Sequence, residues 1–180
     1  AVTREAMGAP AILVNAAVMV RTGEVTRAAP VEALEPGDWS RDLAMNATTA
    51  FLTIRAALPA MQGAGYGRIV NVASVTGPTV AIAGAAGYGA AKAAMCGLTR
   101  TVALENAARG ITCNAVLPGW IATASATEAE AEAARNSPAG RAGTPAEVAA
   151  CCLFLASRAA SFVTGAMLVV DGANTIVEEK

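Results

Sequence analysis

The 180-residue sequence contains no histidine. This removes the commonest general acid–base and the commonest metal ligand at neutral pH, so a catalyst here must use another residue type, and no metal site is expected. Charge is scarce as well. Asp, Glu, Lys and Arg make up 15% of the chain against 54% hydrophobic residues, and the net charge is −1. Without a long basic run, nucleic acid is not expected as a partner. No apolar stretch reaches the roughly 18–20 residues of a membrane span, and no signal-peptide pattern is expected at the start. The four cysteines, Cys96, Cys113, Cys151 and Cys152, form no CxxC pair, so reduced thiols in a cytoplasmic protein are the expectation. No internal repeat, low-complexity segment or linker divides the chain, and its length suits one sizeable core.

What is present alternates between strand and helix signals. "AILVNAAV", after Gly8 and Pro10, is a short continuous apolar run, as expected of a strand covered on both faces. The opening "AVTREAMGAP" reads as the tail of a helix, and "RTGEVTRAAPVEALEPG" as a loop with one helical turn. Asp38, after the Pro36-Gly37 break, is placed to cap a long helix from Trp39 to about Met61. "RIVNVAS" gives a second strand over Arg68 to Ala73. Ala91, Met95, Leu98 and Val102 recur on one face of a helix running to about Arg109, closed by Gly110. "ITCNAVLPG" is a third strand stopped at Pro118-Gly119, and "EAEAEAA" a polar helix within residues 120–137. Thr144, Pro145 and Glu147 form a capping box for a helix carrying Val148, Cys152 and Leu155, and "AMLVVDG" is a fourth strand. This order calls for an α/β fold with a parallel sheet, right-handed crossovers and helices on both faces.

Open parallel sheets bind ligands beyond the carboxyl ends of their strands. Those ends carry Asn15 with Ala16 and Ala17, then Ser74, then Pro118-Gly119. Tyr88 and Lys92, at the start of the helix after Ser74, belong to the same rim. A phenol titrates near pKa ~10 and is a poor base at neutral pH, and an ammonium one helical turn away favours its ionised form. With Ser74 holding a carbonyl or hydroxyl by hydrogen bond, Tyr88 can give or take its proton, which is acid–base catalysis without histidine. The plain alternatives are a surface pair on a helix and a serine that merely ends a strand.

The segments "NVASVTG", "YGAAK", "NAVLPGWIAT" and "GRAGTPAEVAACCLFLAS…VTGAMLVVDG" resemble the short-chain dehydrogenase/reductase family over essentially the whole chain. The spacings carry the resemblance: Ser74 lies 14 residues before Tyr88, and the Pro-Gly 30 residues after it. The resemblance implies a Rossmann-like doubly wound parallel sheet. It also implies an oxidoreductase that interconverts a ketone and a secondary alcohol by hydride transfer, with NAD or NADP as cofactor. A homo-oligomer, dimer or tetramer, acting on a small-molecule carbonyl or alcohol is expected. Among family members the sequence is nearest in flavour to 3-oxoacyl-[acyl-carrier-protein] reductases, with sugar, steroid or diol substrates as alternatives.

Residue by residue, the resemblance makes Tyr88 the acid–base, Lys92 its partner and a ligand of the nicotinamide ribose, and Ser74 the group that polarises the substrate. Asn46, in "LAMNATTAFL", matches the asparagine that holds a water near the lysine in a proton relay; a mid-helix asparagine that only bonds backbone is the plain alternative. Pro118, Gly119, Ile121 and Thr123 match the turn at the nicotinamide carboxamide. Asn15 to Val18 match the motif beside the cofactor, with Ala16 in place of its second Asn and Val18 in place of its Gly. "EAEAEAA" is either a solvated helix face or a mobile flap over the substrate. The small residues of "GAAGYGAAKAAMCG" suit a subunit contact.

The family's glycine-rich pyrophosphate loop, TGxxxGxG, does not occur in this sequence. The strands match the family's fourth to seventh, so the N-terminal half of its fold is expected to be missing and residues 1–180 to form one partial domain. The strand ending at Asn15 should then expose an apolar edge. With no initiator Met, the expectation is a fragment of a longer enzyme. The competing expectation is a truncated, non-catalytic chain that acts as an interaction partner.

Overall fold

The computed structural model describes residues 8–16 and 28–178. The first seven residues of the expected helix tail, and residues 17–27 with Ala17 and Val18, lie outside them.

Strands β1 (Ile12–Asn15), β2 (Gly67–Val72), β3 (Ile111–Pro118) and β4 (Met167–Val170) form one sheet in the order β1-β2-β3-β4. Every neighbouring pair is parallel, with Asn15 opposite Asn71, Val72 opposite Val116 and Pro118 opposite Val170. All carboxyl ends therefore meet at one rim. The helices are α1 (Pro36–Leu43), α2 (Thr49–Ala64), α3 (Ala86–Asn106), α4 (Glu128–Arg135) and α5 (Pro145–Ala156).

Side chains of a strand alternate between the sheet faces, and β2 uses both. Ile69 packs with Ile54, Ala57 and Met61 of α2 and with Val102 and Ala103 of α3. Its neighbour Val70 points the other way, into Val148, Cys152 and Leu155 of α5. Each such side chain removed from water contributes roughly 1.5–3 kcal/mol, so the continuous apolar runs of β2 and β3 are what hold helices to both faces. On α3, Ala91, Met95 and Val102 are buried and Leu98 partly so, as their spacing predicts. Cys152 is core and Cys151 packs beside it.

The long helix departs from expectation at its start and middle. It begins at Pro36, with Glu35 as N-cap and no side-chain cap bond, so Asp38 is not the cap. Proline at the first helical position is pre-set for the helix, and Asp38 lies in the first turn, where its charge favours the helix dipole. Between α1 and α2 the chain makes a π turn, Ala44–Thr48, rather than continuing as α-helix. Elsewhere the signals hold with small shifts. The helical turn near residue 32 is a 3₁₀ turn, Val31–Ala33. The polar helix is limited to α4 and starts with its own capping box, Thr127 and Glu130. The Thr144–Glu147 box starts α5 with Pro145 at its first position.

β1 is an edge strand among the described residues, with Ile12 50% and Val14 43% exposed. No helix among the described residues is long and apolar enough to cross a membrane.

A 3₁₀ turn, Ala107–Arg109, follows α3 and ends at Gly110 with φ +72°. A Cβ at Gly110 would also run into the Gly65 carbonyl oxygen. Gly110→Ala should therefore lower stability by about 1–3 kcal/mol, read as a reduced denaturant midpoint at unchanged slope. An unmoved midpoint would show that this turn tolerates a side chain.

Candidate active site

The rim is drawn together by backbone bonds before any side chain acts. Beyond β2, the Val75 amide donates to the Pro118 carbonyl at 3.1 Å, tying the Ser74 loop to the end of β3. Gly77, at φ +107°, lies so close to the Gly89 carbonyl oxygen that a Cβ would collide with it. That contact presses the loop onto the first turn of α3, where Tyr88 stands. The π turn packs against α3 from the other element.

Lys92 is fully buried, at 0% exposure. Its Nζ donates to the Val72 carbonyl at the end of β2, at 3.2 Å, and lies 5.6 Å from the centroid of the Tyr88 ring. A surface pair is thereby excluded. Burial pushes the amine from its ordinary 10.5 down to about 8, with Cys96 pulling weakly the other way. An ammonium has three donors, and the Val72 carbonyl takes one.

Tyr88 departs from the expected direction. Burial pushes its phenol above the ordinary range; a hydrogen bond with Ser74 pulls it down, and Glu130 and Asp42 push it up. The lysine that should lower it faces the ring, but with its proton affinity lowered to about 8 it has released its proton by the pH at which a phenol titrates, so desolvation of the phenolate wins. Ser74 is 8% exposed and its Oγ also accepts from the Thr76 amide at 3.1 Å, so it both ends the strand and meets the phenol.

Asn46 sits in the π turn at 2% exposure. Its Nδ2 donates to the Asp42 carbonyl at 3.0 Å, while Oδ1 is buried without a hydrogen-bond partner among the described residues. Such an atom ordinarily costs about 1–3 kcal/mol, and π turns concentrate at functional sites.

Asn15 stands at the rim, but its side chain is committed inward. Its Nδ2 donates to Asn71 Oδ1 at 2.8 Å, and its Oδ1 accepts from Thr53 Oγ1 at 2.7 Å. Ala16, next in the chain, is exposed; Val18 lies outside the described residues. Pro118 ends β3, and Gly119 follows with its amide donating to the Val170 carbonyl at 3.0 Å. A Cβ on Gly119 would come within 2.7 Å of Asp171 Cβ, so the turn passes β4 only as glycine. Ile121 is half-buried and held to Gly143 through the Ala122 amide, which donates to the Gly143 carbonyl at 2.8 Å. Thr123 is exposed, with Oγ1 3.1 Å from Ser125 Oγ.

The structure thus brings Ser74, Tyr88, Lys92 and Asn46 to one end of α3, with Pro118-Gly119 beside them. Sequence reasoning missed Asp42 and Glu130, the two carboxylates that act on Tyr88. The available signal was an acidic residue one helical turn before Asn46.

Lys92 also makes a stability prediction. Its native proton affinity lies below the ordinary one, so between pH 8 and 10.5 the unfolded chain holds a proton that the native chain has released. Stability then rises with pH through that window. Relative to Lys92→Met, the wild type should gain up to about 3 kcal/mol from pH 8 to 10.5 in paired denaturation curves. Curves that stay parallel would mean an ordinary lysine.

A family model described as enoyl-(acyl carrier protein) reductase matches residues 1–174. Cyclohexanol dehydrogenase of Acinetobacter sp. (strain SE19) is 45% identical over 145 residues, which cover 80% of this chain and 57% of that protein. The 3-oxoacyl-[acyl-carrier-protein] reductase FabG of Vibrio cholerae is 40% identical over 160 residues, covering 86% of this chain and 65% of that one. The crystal structure of a 3-oxoacyl-[acyl-carrier protein] reductase with bound NAD from Brucella melitensis superposes with a TM-score of 0.82 at 38% identity, covering 93% of this chain and 63% of that one. The chain thus spans less than two thirds of the length of each of these relatives.

Proposed function

The chain belongs to the short-chain dehydrogenase/reductase family, and on that footing we propose that it carries the proton-transfer half of an NAD(P)-dependent oxidoreductase interconverting a ketone and a secondary alcohol. The observation that carries this reading is the burial of Lys92 between the Tyr88 ring and the end of β2, two residues before Ser74.

The residues fit the cofactor. Asn46 Oδ1 is a buried acceptor in want of a donor, and Lys92 Nζ keeps donors beyond the one given to Val72. Lys92 and Tyr88 would hold the nicotinamide ribose. Pro118, Gly119, Ile121 and Thr123 would face the carboxamide, and the backbone of Asn15 and Ala16 would line the cofactor's side of the rim. NAD(P), when bound, gives or takes the hydride at the carbonyl carbon.

The chain's own residues handle the proton. Ser74 Oγ bonds the substrate oxygen and orients it toward Tyr88. In the reducing direction Tyr88 donates its phenolic proton to that oxygen; its raised proton affinity keeps the proton in place at neutral pH until the oxygen develops charge. In the oxidising direction Tyr88 accepts the alcohol's proton, helped by the Ser74 hydrogen bond. Lys92, whose proton affinity is lowered to about 8, can pass a proton onward, and Asn46 Oδ1 can accept from a water bridging toward it. α4 lies within electrostatic reach of Tyr88 through Glu130, which favours the flap reading of this helix over a purely solvated face.

For the substrate we infer a 3-oxoacyl thioester, supported by the acyl-carrier-protein names of the family model and of two relatives. A homo-oligomer is supported by exposed Phe51 (46%), Leu52 (51%) and Leu104 (84%) on α2 and α3.

Tyr88→Phe should reduce acetoacetyl-thioester reduction by about 10²–10⁴-fold with an unchanged melting temperature, followed as cofactor absorbance in the whole enzyme. Near-normal turnover would remove Tyr88 from the acid–base role. Turnover with cyclohexanol but not with the thioester would reject the substrate inference alone.

A further inference from the structure

The proposed reaction leaves one buried acid at this end of α3 unused. Asp42 is 3% exposed, and its Oδ1 has no hydrogen-bond partner among the described residues. Its carboxyl lies against Gly87: a Cβ built on Gly87 would come 2.5 Å from Asp42 Oδ2 and 3.1 Å from Asp42 Cβ. Gly87 immediately precedes Tyr88, and Gly89, immediately after it, is pressed by Gly77 from the loop beyond β2. The tyrosine is therefore held between two close approaches, one made by an acid. The Asp42 carbonyl in turn accepts from Asn46 Nδ2 at 3.0 Å, so the same residue fixes the amide of the π turn.

We propose that Asp42 is a positioning residue for Tyr88, its carboxyl seating the first turn of α3 through Gly87 and setting a negative charge beside the phenol. The inference rests on Tyr88 being the acid–base. The groups that face this carboxyl are Asp38 and Arg41 on its own helix and Tyr88 on α3; Tyr88 in turn faces Ser74, Lys92 on its own helix and, from α4, Glu130. Burial first, then Asp38, raises the proton affinity of Asp42, while Arg41 lowers it. Even so, Asp42 is ionised across the alkaline range where a phenol titrates, and its charge there opposes the phenolate. The sign follows: removing the charge must make Tyr88 easier to deprotonate. An aspartate that only filled space would leave the titration unmoved.

The test reads Tyr88 directly and needs no turnover. In protein labelled with ¹³Cζ-tyrosine, the Tyr88 signal is assigned by its loss in Tyr88→Phe and titrated by NMR in wild type and in Asp42→Asn, which keeps the shape and removes the charge. The expected result is a Tyr88 midpoint lower by about 0.5 pH unit or more in Asp42→Asn. An unmoved Tyr88 midpoint in a folded Asp42→Asn overturns the charge effect. The seating is tested by a double-mutant cycle in thermal unfolding, which also stands if Asp42→Asn does not fold. Gly87→Ala should destabilise strongly in the wild type and clearly less in an Asp42→Ala background, whereas simple additivity overturns the contact. Failure of Tyr88→Phe to reduce turnover would sink the functional reading while leaving both of these results legible.

Discussion

The burial of one lysine side chain constrains the rest of this site. An ammonium withdrawn from water costs several kcal/mol unless it finds partners, and a group that does not find enough of them gives up its proton more readily instead. Lys92 takes both routes: it donates to the Val72 carbonyl, and its proton affinity falls to about 8. The partner is available only because β2 ends where α3 begins its second turn, and that depends on the loop from Ala73 to Ala85 being held down. The Val75–Pro118 bond and the Gly77–Gly89 contact hold it. Loosening either would let water reach the amine and restore an ordinary lysine.

The π turn answers a different demand. In it, Asn46 Nδ2 bonds the Asp42 carbonyl, and Oδ1 is buried without a hydrogen-bond partner among the described residues. Together with Asp42 Oδ1, one helical turn before it, this places two unsatisfied acceptors on one side of α3. Among the described residues the other buried asparagines differ: Asn71, Asn106 and Asn114 all have side-chain hydrogen bonds, and the one further unpartnered side-chain oxygen, Thr112 Oγ1, lies on β3. Unsatisfied oxygens gathered at the end of one helix are what a proton-handling site would keep.

Much of this was legible in the sequence, for reasons that differ by residue. The strands of the sheet core are continuous apolar runs because both faces are covered, so "RIVNV" and "ITCNAVLP" could be placed within a residue or so. The Thr144 capping box and the Gly110 stop follow from local backbone chemistry and were equally readable. Asp38 misled because Pro36 reads as a breaker when it is in fact the first helical residue. The π turn, which packs against α3, left no signal in the pattern of "AMNAT". Spacing located Tyr88 and Lys92, but the direction in which Tyr88 is shifted depends on burial and on two distant carboxylates, Asp42 and Glu130, which no pairwise spacing reveals.

One polar chain ties these local facts into a single unit. Thr53 on α2 donates to Asn15 at the end of β1, Asn15 donates to Asn71 on β2, Asn71 donates to Thr99 on α3, and Thr99 donates to the Met95 carbonyl. Each link contributes about 1 kcal/mol, and in a dry interior the links polarise one another. Thr99 lies two helical turns below Lys92 on the same helix, so the strand that ends at Asn15 is braced against the helix that carries Tyr88 and Lys92. Asn15 therefore serves the site from within the sheet. Its side chain fixes where the rim stands relative to Lys92.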